Sequence, residues 1–214
     1  MSLTGFDPSI VNQSISAVKT AYESLIQALG NDMQTKFIGG MADKWASPEA
    51  QNFFNSSFKP AIDSLITSSN TTFESVVNAM NEGAQRWASQ TQAQYASQSF
   101  SMISKNMDTS PILENIGGVR GCDTVAANDV AAQLPTIAES AKSALTAAQQ
   151  AVQNCGFVGG NQASNLISSL GQIKNNIDTA VTDITTQTKN AITTTTENYK
   201  TIEGQISSAF AGQN

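Results

Sequence analysis

Val11, Ile15, Val18, Tyr22, Leu25 and Leu29 stand 4, 3, 4, 3 and 4 residues apart, and the same spacing returns in nearly every long stretch of the chain. Positions three and four apart share one side of an α-helix, so this pattern confines the chain to long amphipathic helices. The first helix is expected to start at Asp7, a good N-cap, with Pro8 at its first position, where the missing N–H costs nothing. The pattern thins across "GNDMQTKFIGGMADKW", where Gly30, Gly39 and Gly40 fall, and the helix is expected to run through Gly30 to about Phe37.

A second helix should open in "KWASPEAQNFF". Ser47 can cap it, Pro48 suits its first position, and Glu49 sits favourably against the positive end of the helix dipole. Phe54, Phe58, Ile62 and Leu65 hold one register. Phe73, Val77, Met80, Ala84 and Trp87 hold another, as in a long helix that shifts its contacting face. Pro60 predicts either a kink or a break between a short capping turn and the main helix. Residues 106–128 carry Pro111 and three glycines with no sustained period, which predicts a linker. A third helix over about 128–153 follows from Leu134, Ile137, Ala141, Leu145, Ala148 and Val152. A fourth follows from Leu166, Leu170, Ile173, Ile177, Val181 and Ile184, and continues as a polar extension through Ile202, Ile206 and Phe210. No stretch alternates convincingly enough to predict a strand.

The fold class expected is therefore all-α: two long antiparallel helix-turn-helix hairpins, residues 1–105 and 129–214, joined by the 106–128 linker and packed as an elongated four-helix bundle. The segment "QTQAQYASQSFSMISK" should overhang the first helix, so Tyr95, Phe100 and Ile103 are expected to find cover from the second hairpin, the alternative being another chain. Cys122 and Cys155 would lie at opposite ends of the third helix, about 39 Å apart at ~1.5 Å per residue, too far for a disulfide.

Only 13% of the 214 residues are charged, the formal net charge is −6 and histidine is absent. The acidic balance and the lack of a Lys/Arg cluster argue against nucleic acid as a partner. Without histidine, a Gly-rich phosphate loop or a Cys-x-x-Cys pair, no catalytic constellation emerges, so no enzyme, cofactor or metal is expected. No transmembrane segment is expected either, because no window approaches about 18 uninterrupted apolar residues. "MSLTGFDPSIVNQSISAVKT" lacks the basic start and apolar stretch of a cleavable signal peptide.

Trp45-Ala46-Ser47, followed by Ala50, Phe53 and Phe54, resembles the turn of the WXG (ESAT-like) proteins exported by type VII secretion systems of actinobacteria and firmicutes. There a helical hairpin carries Trp-x-Gly, or Trp-x-Ser/Asp in divergent members, at its turn. The resemblance covers residues 1 to about 100, with Ser47 in place of glycine, a rather long turn and a longer second helix. Phe157-Val158-Gly159, with Ala163 following, is similar to a degenerate second copy at the corresponding joint, so the chain looks like a pair of such hairpins fused into one polypeptide. Tyr199 and Glu203 in "YKTIE" resemble the Tyr-x-x-x-Asp/Glu element that the secretion machinery reads together with the Trp-x-Gly turn of a partner. The resemblance implies one composite export signal made of Trp45, Ser47, Tyr199 and Glu203. It also implies a secreted or cell-surface protein whose partners are the secretion ATPase or another WXG-type protein, with self-association open.

Two simpler readings stand beside these. Trp45 can act purely as a hydrophobic staple closing the turn, and Trp87, inside a helix, as a packing or interface residue. A different class of function, a structural subunit of a filament or phage virion (flagellin-like, needle-like or tail component), also fits long Ser/Thr/Asn/Gln-rich hairpins with little charge.

Overall fold

The computed structural model describes residues 6–155 and 162–211. The Asp7 carboxylate accepts from the backbone N–H groups of Ser9 (2.8 Å) and Ile10 (3.4 Å) and starts α1 (Pro8–Ile26). The helical path then continues through a π-helical stretch, Gln27–Ile38, into α2 (Gly39–Met41). It thus runs a turn beyond the Phe37 expected from the sequence. The first turn of the bundle contains β1 (Trp45–Ala46), after which Ser47 Oγ accepts from the Ala50 N–H at 3.1 Å and caps α3 (Pro48–Phe53).

From α3 the chain passes without interruption through a π-helical turn, Phe54–Phe58, into α4 (Lys59–Thr91). Pro60 therefore neither breaks the helix nor caps a separate one. A proline ring collides with the carbonyl four residues back in a regular α-helix, and the wider π turn just before it opens that space. The two π-helical stretches meet: Phe37 packs its ring 5.4 Å from Phe54 and 4.9 Å from Phe58.

Past α4 the structure departs from expectation. Gln92, with φ of 56°, ends the helix, and the chain doubles back as an extended strap along α1 and α4. Tyr95, Phe100 and Ile103 are covered by the first hairpin itself rather than by the second. Phe100 packs 4.8 Å from Tyr22, and Tyr95 packs 6.0 Å from Phe6.

An extended segment with no strand beside it must satisfy its backbone some other way, and here side chains do so at several points. Asn81 accepts from the Gln98 N–H (3.0 Å) and donates to its carbonyl (2.8 Å). The Tyr22 hydroxyl accepts from the Ile103 N–H while Asn70 donates to the Ile103 carbonyl. Asp63 and Lys59 hold Met107 in the same manner, and Gln34 holds Asp108.

The 106–128 region is more ordered in form than a plain linker. Gly117 and Gly118, at φ of 59° and 84°, make a tight turn between Ile116 and Val119, a conformation that favours glycine. Beyond it β2 (Gly121–Cys122) pairs antiparallel with β1, Trp45 opposite Cys122. These two-residue strands escape a sequence pattern search because they are too short to show a period. Asp123 caps α5 (Thr124–Ala131), which precedes α6 (Leu134–Gln153), so the expected third helix starts earlier and is interrupted just before Pro135. Gly40 permits α2 to approach α5: a Cβ there would lie 3.0 Å from Val130.

The last helix, α7 (Gln162–Ala211), has 50 residues, a rod of about 75 Å at ~1.5 Å per residue. α1 packs against α4 and α6, and α7 against the same two helices, giving an elongated all-α four-helix bundle of two antiparallel hairpins. One continuous core joins them, from Val11 and Ile15 through Phe73 and Val77 to Leu145 and Ile177.

Candidate functional site at the first turn

The sequence-predicted residues Trp45, Ser47, Tyr199 and Glu203 fall at one end of the bundle, where the first turn meets the last part of α7. Their exposure divides them into two kinds. Trp45 is 0% exposed, stacked 6.0 Å from Phe53 and edge-on to Phe54 at 6.3 Å. Its indole Nε1 donates to Thr195 Oγ1 at 3.3 Å, and that hydroxyl in turn donates to the Ala191 carbonyl at 2.9 Å. A buried indole N–H needs such a partner. The tryptophan therefore joins the first turn to α7 across 150 residues of sequence and presents no surface. Ser47 is equally enclosed. Its φ of −164° is extended backbone open to any residue, so the serine needs none of glycine's freedom and contributes a cap.

Tyr199, one helical turn past Thr195, is partly exposed, and Glu203 is exposed on the same side of α7. Tyr199 lines a groove of about 450 Å³ whose opposite wall is Pro48, Glu49 and Arg120. Burial and, secondarily, the Glu49 carboxylate hold the Tyr199 phenol above its ordinary pKa, with Arg120 offsetting part of the shift. The groove thus mixes apolar and neutral polar side chains, with one acid and one base on its far wall. Arg120 also pairs with Glu114 at 3.3 Å, an exposed contact of little energetic weight.

Glu49 was legible only as a carboxylate at a helix start, and Arg120 was not legible as a site residue, because nothing in the sequence places the linker beside α7. The signal that does so is the β1–β2 pairing, backed by a 2.8 Å contact between the Thr124 and Thr196 hydroxyls. Phe157 and Gly159, the second turn motif, lie outside the described residues.

Cys122 is not in a disulfide. Burial and the neighbouring Asp123 push its thiol up to about 11, which leaves it protonated and unreactive near neutral pH. Among the described residues no group of three or more His, Cys, Asp or Glu side chains could hold a metal ion, and no helix is long and apolar enough to cross a membrane. The arrangement is a helix end carrying an aromatic and a carboxylate beside a groove that holds one acid and one base.

The fold and the site define an elongated all-α bundle with a candidate binding surface at one end. No protein-family model, curated protein or solved structure matches the chain.

Proposed function

We propose that this protein is a non-enzymatic, secreted helical-hairpin substrate or co-secretion partner of a type VII secretion system, resembling WXG proteins. In this reading the partly exposed Tyr199 and the exposed Glu203 are what the export machinery, its ATPase or a WXG-type partner, contacts. Trp45 and Ser47 act indirectly, by fixing the turn against α7. The observation that carries the reading is the projection of α7 beyond the turn: residues 200–210 are exposed, while Thr195 is buried under Trp45. A reader of Tyr-x-x-x-Glu needs a helical, accessible segment held in fixed relation to the turn, and the Trp45–Thr195 bond supports that requirement.

The test is export of the full chain from a host carrying such a system. Tyr199→Ala and Glu203→Ala should each reduce the exported fraction at least about tenfold while circular dichroism and the melting temperature stay at the parent values. Export at the parent level in both variants would overturn the proposal.

A further inference from the structure

The strap shows how this chain holds an extended polypeptide. Along α4, Asn81, Asn70 and Asp63 stand 11 and 7 residues apart, intervals that return to one side of a helix. They meet the backbone groups of Gln98, Ile103 and Met107 in turn. The lengths agree: Asp63 to Asn81 spans about 27 Å at ~1.5 Å per helical residue, and Gln98 to Met107 about 30 Å at ~3.3 Å per extended residue.

The last helix repeats that spacing with no strap on it. Gln187, Asn198 and Gln205 again stand 11 and 7 apart, and Asn176 precedes Gln187 by another 11. All four are exposed, and none of their side chains has a hydrogen-bond partner among the described residues. All four also line one groove between α7 and the path from α3 into α4, made of three cavities of about 510, 360 and 450 Å³. The first two cavities share Ser57 and Gln187, and the last two share Glu49, so the groove is continuous. Each cavity is of ligand size. Ala61, Ala180 and Ala191 on its walls are small, which lets a backbone come close.

From this geometry we infer that the groove is a docking site for an extended, weakly charged segment of another protein, held through its backbone by Asn176, Gln187, Asn198 and Gln205.

A side-chain amide carries an acceptor and two donors, so one Asn or Gln can take both the N–H and the C=O of a residue in an extended chain. Asn81 does this for Gln98. An extended segment needs such partners wherever no strand lies beside it, and the four amides offer them at every fourth or fifth residue. From Asn176 to Gln205 α7 runs about 44 Å, the reach of about 13 extended residues. The walls carry few charges, Asp183 and Glu49 against Arg120, which suits a segment of low charge.

The inference does not depend on the export reading, and the two fail separately: export reads Tyr199 and Glu203, and docking reads the amides, of which Asn176 and Gln187 lie well before Tyr199 on α7.

A synthetic 16-residue peptide with the strap's own sequence, residues 94–109, carries the matching spacing at Gln98, Ile103 and Met107 and serves as the probe. Titrated into the full chain, it should shift the side-chain NH₂ resonances of Gln187, Asn198 and Gln205 with a dissociation constant below about 1 mM. N-methylation of the peptide backbone at those three positions keeps its side chains but removes the donors, and should weaken binding at least about tenfold. Gln187→Ala and Asn198→Ala in the protein should each weaken it at least about threefold with circular dichroism unchanged, since both side chains are exposed. No shift up to about 5 mM peptide, equal binding of the N-methylated peptide, or shifts confined to Asn70 and Asn81 in the strap's own groove would overturn the inference.

Discussion

Trp45 shows how one side chain can set the geometry of a site without belonging to its surface. Its indole fills the space between Phe53, Phe54 and α7, and its N–H finds the Thr195 hydroxyl. Trp45→Ala should destabilise the fold by about 3–5 kcal/mol, the range for emptying a large aromatic site. Chemical denaturation checks this; a loss under about 1 kcal/mol would mean the turn closes without it. Trp87, half-exposed on α4, has no comparable enclosure.

A second residue-scale prediction concerns pH. The Cys122 thiol sits at about 11 in the folded chain against an ordinary 9.0. From about pH 9 to 11 the unfolded chain therefore holds fewer protons, and the stabilisation from this group, fully present below pH 9, is lost as pH rises through 11. Alkylation at Cys122, followed by mass spectrometry, should be negligible at pH 8 and rise steeply only toward pH 11; rapid labelling at pH 8 would contradict the burial of the thiol.

At the scale of elements, the strap of residues 92–112 is the feature that sequence periodicity could not anticipate. Helices α1, α4 and α7 were legible because each combines a three-and-four apolar spacing with, for the first hairpin, a cap and a proline at the right place. The strap has no period because its backbone is satisfied by amides, hydroxyls and a Lys–Asp pair on the helices rather than by a neighbouring strand. Its only trace in the sequence is the abundance of Gln and Ser, which a surface also explains. The β1–β2 pairing was hidden for a related reason: two residues cannot reveal an alternation.

Asn81 is the most connected of the strap's holders, accepting from Tyr95 Oη (2.7 Å) as well as clasping both backbone groups of Gln98. Asn81→Ala leaves those partners unsatisfied, at about 1–3 kcal/mol. Amide exchange in residues 95–103 should accelerate at least about tenfold, with little change in the buried cores of α1 and α6. Uniform acceleration throughout the chain would mean that the strap is not a separately opening unit.

For the whole molecule, the fold class was readable because four amphipathic helices in two hairpins have few ways to bury their stripes other than against each other. The site was only partly readable. Sequence resemblance named Trp45, Ser47, Tyr199 and Glu203, and the fold brings all four to one end, yet it buries the first two and exposes the last. It also adds Glu49 and Arg120, which reach the site through the capped turn and the linker, a route that no local pattern encodes.

The bundle thus separates two tasks along α7: the portion up to Thr195 builds the core and locks the first turn, and the portion beyond it projects. On this account Trp45 positions the surface and Tyr199 is the surface. The most direct measurement compares export of Trp45→Phe with that of Tyr199→Ala in one secreting host. Phenylalanine keeps an aromatic ring against Phe53, so Trp45→Phe should be exported near the parent level despite some loss of stability, and Tyr199→Ala should be retained. Retention of a folded Trp45→Phe alongside normal export of Tyr199→Ala would contradict the account.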